Sequence, residues 1–181
     1  MGLLYEKFSR HIDEQFYKRY KTHPHDKLKL EEQNSGGKHA YEVIFILLAS
    51  EKHDDILIIK NLEELKTKHA KYIKMDPPKD CDYIIINETK QKIYYIELKD
   101  TDSYTHQSIK DQLDAGEKWL HHLLFCSHLD DSYIEGWKKF NICVKYNGGR
   151  NSFFPLEADN VAGKQIFFVK GNEFSLGKFR L

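Results

Sequence analysis

Asp82, Glu97 and Lys99 are the residues whose types and spacing best suit chemistry. They bracket the stretch CDYIIINETKQKIYYIELKD, Cys81 to Asp100. If Asn87 pairs with Lys92 across the loop Glu88–Gln91, the antiparallel register sets Asp82 directly opposite Glu97. Side-chain alternation then puts Lys99 on the face that both acids occupy. Opposed residues on neighbouring strands have Cβ atoms roughly 4.5–5.5 Å apart, so the two carboxylates repel unless one is protonated or a cation bridges them. Carboxylate oxygens suit hard ions, Mg2+ first and Mn2+ or Ca2+ next, better than zinc. The plain alternative is a pair of solvated hairpin ends. Against it, YIII and IYYI leave neither strand a polar face, as in central strands covered on both sides. Charges at the ends of such strands call for a reason, and in open α/β sheets ligands collect at strand ends.

An aspartate, fourteen intervening residues, and then Glu-x-Lys at the end of an apolar strand resembles the PD-(D/E)xK nuclease superfamily, with Cys81-Asp82 where the family name has Pro-Asp. The resemblance covers Asp82 to Leu120, about a fifth of the chain. It implies an α/β fold with a restriction-endonuclease-like core, a mixed β-sheet flanked by α-helices. It implies that Asp82 and Glu97 ligate Mg2+ or Mn2+, that the main-chain carbonyl of Leu98 completes the site, and that Lys99 attends the attacking water. In a subset of the superfamily a glutamine on the following helix faces the site, and Gln112 beside Leu113 matches it. The tyrosine that often follows is replaced by Gly116. An acidic residue on a preceding helix is also usual, and Glu42, Glu63 and Glu64 are the candidates. The implied partner is DNA, with RNA an alternative that changes the substrate and not the site. A homodimer is one arrangement by which a small subunit serves both strands.

The elements that must position these residues follow from periodicity. Leu4, Phe8, Ile12, Phe16 and Tyr20 predict an amphipathic helix from Leu3 to about Tyr20, ended by Pro24. Thr22–Lys38, with Gly36-Gly37, reads as a loop. YEVIFILLAS and DILIIK read as a buried hairpin, with a helix as the alternative for the first. Asn61 with Glu64 has the form of a capping box opening a helix to about Tyr72. A further helix is expected from about Ser103 to Phe125, and later strands in KKFNICVKYN and KQIFFVKG, with NGGRNS a turn between them.

The 181 residues suit one domain spanning 1–181, and 28 basic residues balance 28 acidic ones, so total charge names no partner. Local basic runs do occur: Lys66, Lys68, Lys71, Lys74 and Lys79 before the site, and Lys138, Lys139, Lys145 and Arg150 after it. Tyr146, Phe153 and Phe154 are candidate base-stacking groups, with core packing the alternative. His23–His25 and His121-His122 lack metalloprotease spacing, and no nucleophile elbow or phosphate-binding Gly-rich loop occurs. Three odd, widely spaced cysteines and the lack of a long apolar run give the expectation of a chain in a reducing cytoplasm with no membrane partner. With the resemblance, the expectation is a metal-dependent deoxyribonuclease, an endonuclease of restriction, defence or repair type. Its rival is a non-catalytic nucleic-acid- or protein-binding module on the same fold.

Overall fold

The computed structural model describes residues 2–21, 27–32, 41–46, 55–69, 79–99, 103–146 and 158–179. In chain order these form α1 (Leu3–His11), β1 (Tyr17–Lys21), β2 (Lys27–Glu32), β3 (Tyr41–Ile46), β4 (Asp55–Lys60), α2 (Leu62–His69), β5 (Tyr83–Asn87) and β6 (Lys92–Lys99). Then follow α3 (His106–Cys126), β7 (Lys138–Lys145), β8 (Asp159–Val161), β9 (Lys164–Lys170) and β10 (Glu173–Ser175). Seven strands make one mixed sheet in the order β1-β4-β5-β6-β7-β9-β8. Pairing is antiparallel from β1 to β6, parallel from β6 through β7 to β9, and antiparallel again at β8. A smaller sheet has the order β10-β3-β2.

This mixed α/β architecture explains the apolar strands. On one face Ile84, Ile86, Ile93 and Tyr95 meet Leu4 and Phe8 of α1, Leu62 and Leu65 of α2, and Ile109, Leu113 and Leu120 of α3. On the other, Ile56, Ile58, Ile85, Tyr94, Ile96 and Leu98 meet Leu28, Leu30, Val43 and Phe45 of the small sheet. Each fully buried side chain of this size contributes about 1.5–3 kcal/mol. The expectation of a sheet flanked by helices is thus corrected in one respect: the helices cover one face and a second sheet covers the other.

Several local expectations also change. The first helix stops at His11, well short of Tyr20, because Ile12 is extended and the Asp13 carboxylate accepts from Gln15 N. Short polar side chains that bond their own backbone compete with the helix in this way. Tyr17–Lys21 then pairs with Asp55–Ile59, where aromatic side chains suit a pleated surface. Part of the supposed loop Thr22–Lys38 is strand β2, whose Leu28 and Leu30 are buried between exposed Lys27, Lys29 and Glu31, a period-two signal inside a polar stretch. Pro24 and Gly36-Gly37 lie outside the described residues.

YEVIFI and DILIIK are both strands but do not pair with each other. β4 is buried from Ile56 to Ile59 and takes β1 and β5 as neighbours, whereas β3 buries only alternate residues and belongs to the outer sheet. Asn61 has φ 57°, a left-handed conformation and not the extended one usual for an N-cap. A capping box occurs at Thr105, whose hydroxyl accepts from Ser108 N while Ser108 Oγ accepts from Thr105 N. Tyr72 and the Asn147–Ser152 turn lie outside the described residues. No helix among those residues is long and apolar enough to cross a membrane.

An ion-pair network ties α3 to the sheet. Asp114 takes Lys110 at 2.6 Å and Lys164 at 2.7 Å, and Glu117 takes Lys139 at 2.6 Å and Lys164 at 3.0 Å. Burial works against both carboxylates, but these lysines hold them below their ordinary values of 3.8 and 4.5. A depressed folded pKa contributes stability that is complete above the unfolded value and is lost as pH falls through the folded one. Wild-type stability in urea should therefore fall as pH drops below about 4.5, and Lys164→Met should flatten that fall. An unchanged acid limb in the variant would contradict the network's role.

Candidate active site

β5 and β6 pair with Asn87 opposite Lys92 and Tyr83 opposite Ile96, the register read from the sequence, and its continuation by one residue sets Asp82 opposite Glu97. Leu98 N donates to Asp82 Oδ2 at 2.6 Å across the two strand ends, and within β6 Lys99 Nζ pairs with Glu97 Oε1. Asp82, Glu97 and Lys99 extend the row of Ile84, Ile86, Ile93 and Tyr95, so all three lie on the helix-covered face. Glu97 is buried, with 2% of its side chain exposed, against 23% for Lys99.

Two thiols register the negative charge. Cys143 stands beside Glu97 on β7, and its pKa is pushed up to about 12, first by burial and then by Glu97. Burial, then Glu97, Asp82 and Asp80, pushes Cys81 well above the ordinary range. Both thiols are buried, and burial favours their protonated form.

Asp82 opens onto a cleft of about 520 Å³ that is also lined by Glu31, Lys60, Asn61, Glu63, Asp80 and Tyr83. Of the three upstream glutamates, Glu63 on α2 lines this cleft, and its Oε1 accepts from Asp80 N at 3.0 Å. Glu64, on the same helix, is exposed and does not line it. Glu42 sits on β3 in the outer sheet, paired with Lys29 at 3.0 Å.

Sequence reasoning missed Asp80 and counted Lys66 only as one of a basic run. Lys66 is buried and pairs with Asp80 at 2.8 Å. Its position, one helical turn after buried Leu62, was the available signal for an inward side chain. Burial raises the Asp80 carboxyl although the Lys66 ammonium pulls it down. Together the Asp80–Lys66 pair and the Asp80 N–Glu63 bond anchor the approach to Asp82 onto α2.

Gln112 is buried on α3, and Gly116 follows one turn later against Cys81. A Cβ at 116 would overlap Cys81 Sγ, so the tyrosine of the superfamily pattern has no room here. Gly116→Ala should destabilise the fold by about 1–3 kcal/mol in urea unfolding. Adding Cys81→Ala should recover most of the loss, and equal loss with and without Cys81 would locate the clash elsewhere.

The basic runs divide. Lys139 is committed to Glu117, Lys79 and Lys138 are exposed, and Lys145 ends β7 beside Lys99. Lys71, Lys74, Arg150, Phe153, Phe154 and the Lys68 side chain lie outside the described residues, and Tyr146 packs against the core between the sheets. His121 pairs with Asp131 at 2.5 Å, and His122 Nε2 lies 3.6 Å from Cys126 Sγ. His23–His25 lie outside the described residues.

Among the described residues no three His, Cys, Asp or Glu side chains are grouped to hold a metal ion. Asp82 and Glu97 are the two carboxylates that the strand register sets opposite each other, and the contact between Leu98 and Asp82 runs through the Leu98 amide, not its carbonyl. An all-oxygen set of one or two carboxylates fits Mg2+, which keeps several of its waters, better than an ion that demands a full protein cage. Comparison with protein-family models, with curated proteins and with solved structures gives no match.

Proposed function

We propose that the chain is a metal-dependent nuclease with a restriction-endonuclease-like core that hydrolyses phosphodiester bonds in DNA, as an endonuclease of restriction, defence or repair type. The observation that carries this reading is the juxtaposition of Asp82 and Glu97 on adjacent strand ends, with Lys99 on the same face, where Asp82 opens onto a cleft. Asp82 and Glu97 would hold Mg2+ or Mn2+. When bound, such an ion acidifies a water and neutralises charge on the phosphate. Lys99 would orient the attacking water and, as the neutral amine, help remove its proton, Gln112 would face the site from α3, and Glu63 holds the approach to Asp82 through the Asp80 amide. In the reaction the water oxygen bonds to phosphorus, the bond from phosphorus to the leaving oxygen breaks, and that oxygen takes up a proton from solvent while the water gives one up. Two copies cutting opposite strands would make the active form a homodimer.

One observation favours a second reading, the non-catalytic module. Lys99 pairs with Glu97 and the Leu98 amide bonds Asp82, so both acids find partners within the protein. Calorimetry separates the two. Titration of Mn2+ into the wild-type chain should give binding heat that Asp82→Asn removes with no change in the unfolding midpoint. Absence of heat from the wild type would select the binding module. Cleavage of RNA alone would retain the site and change the substrate.

A further inference from the structure

Three lysines stand in one row beside the proposed site. β6, β7 and β9 run parallel and in register, so that Lys99 is opposite Lys145 and Lys145 opposite Lys170, each the last residue of its strand. The face is fixed two residues earlier. Glu97, Cys143 and Phe168 form the equivalent row, and Cys143 and Phe168 belong to the helix-side core. Lys99, Lys145 and Lys170 therefore point to the same side as the two carboxylates. His106, at the start of α3, stacks on Phe168 with ring centroids 4.2 Å apart, so the start of the helix covers the inner row. Lys145 is half-buried and Lys170 exposed.

Like charges placed directly opposite each other on neighbouring strands destabilise a sheet. Set in succession, with Lys99 also paired to Glu97, the three lysines give this end of the sheet a row of ammonium groups that a polyanion would meet. Strands lie ~4.8 Å apart, so the row spans about 10 Å, long enough to meet more than one phosphate of a polynucleotide strand.

We infer that Lys99, Lys145 and Lys170 form a phosphate track, with a polynucleotide strand lying across the ends of β6, β7 and β9, its scissile phosphate over Asp82 and Glu97. The inference rests on the nuclease reading for its register. It makes the substrate a chain with phosphates to one side of the cut, and it makes Lys145 and Lys170 binding residues outside the chemistry. Contacts of this kind carry no base specificity and fall with salt.

The test is the salt dependence of affinity for a labelled duplex, read by fluorescence anisotropy with chelator present, for wild type, Lys145→Ala, Lys170→Ala and the Lys145→Arg/Lys170→Arg pair. The slope of log affinity against log salt should lose ~0.9 for each alanine and stay at the wild-type value in the arginine pair. Unchanged slopes in both alanine variants, or no binding by the wild type at low salt, would overturn the track. If the wild type cuts DNA and the slopes do not move, the track fails alone. If the slopes fall and no cleavage is found with any divalent ion, the catalytic reading fails and the track stands.

Discussion

Lys99→Met is expected to lower the rate of DNA cleavage by ~10²–10⁴-fold, the range for removing a positioned proton-transfer group, while metal binding persists. The two halves have one cause. Lys99 Nζ pairs with Glu97 Oε1, so its ammonium competes with any cation for that carboxylate. Its removal leaves Glu97 Oε1 more available to Mn2+, and affinity by calorimetry should hold or rise. What disappears is the group that aligns the water and, once it has shed its own proton as the neutral amine, takes up the water's. Lys99→Arg sharpens the point, because guanidinium keeps the charge and does not deprotonate. Restored cleavage in the arginine variant would assign Lys99 a purely electrostatic role, and full activity in Lys99→Met would remove it from the mechanism.

The largest stability effect should come from Lys66→Met, which leaves the Asp80 carboxylate buried without its 2.8 Å partner. Breaking a buried pair on one side costs about 3–5 kcal/mol, since the remaining charge keeps its desolvation penalty and loses the attraction that offset it. Lys66→Met/Asp80→Leu removes both charges and should recover most of the loss. Urea unfolding of the two single variants and the double variant measures the coupling. Additive losses would mean that the two side chains act independently. Asp80 lies two residues from Asp82 and its amide bonds Glu63, so the Lys66→Met variant should also bind Mn2+ more weakly. Lys66 is in this sense a positioning residue.

The hairpin and its register were legible because its signals agreed: two apolar runs, a short polar loop, and charges confined to the ends. Helix α3 was legible from its stripe, apart from its start, where Thr105 and Ser108 set the cap and Ser103 lies before it. Partners at long range were not legible. β3 and β4 have similar composition, yet β4 needs cover on both faces and β3 on one, and only the assembled sheets show which strand takes which place. The first helix was overextended because Phe16 and Tyr20 continue a helical spacing that the Asp13 turn interrupts. At the site the sequence placed Asp82, Glu97 and Lys99 from strand alternation, but Asp80 and Lys66 are fourteen residues apart, joined only by the packing of α2 against the start of β5.

The most direct measurement is cleavage of a supercoiled plasmid by the purified chain with Mg2+, Mn2+ or chelator, beside Asp82→Asn. Metal-dependent conversion to nicked or linear DNA by the wild type, absent with chelator and absent in the variant, is the predicted result. Cutting that survives Asp82→Asn would contradict the assignment of the site. An intact plasmid under every divalent ion, from a chain that is folded and binds the metal, would contradict DNA hydrolysis as its activity.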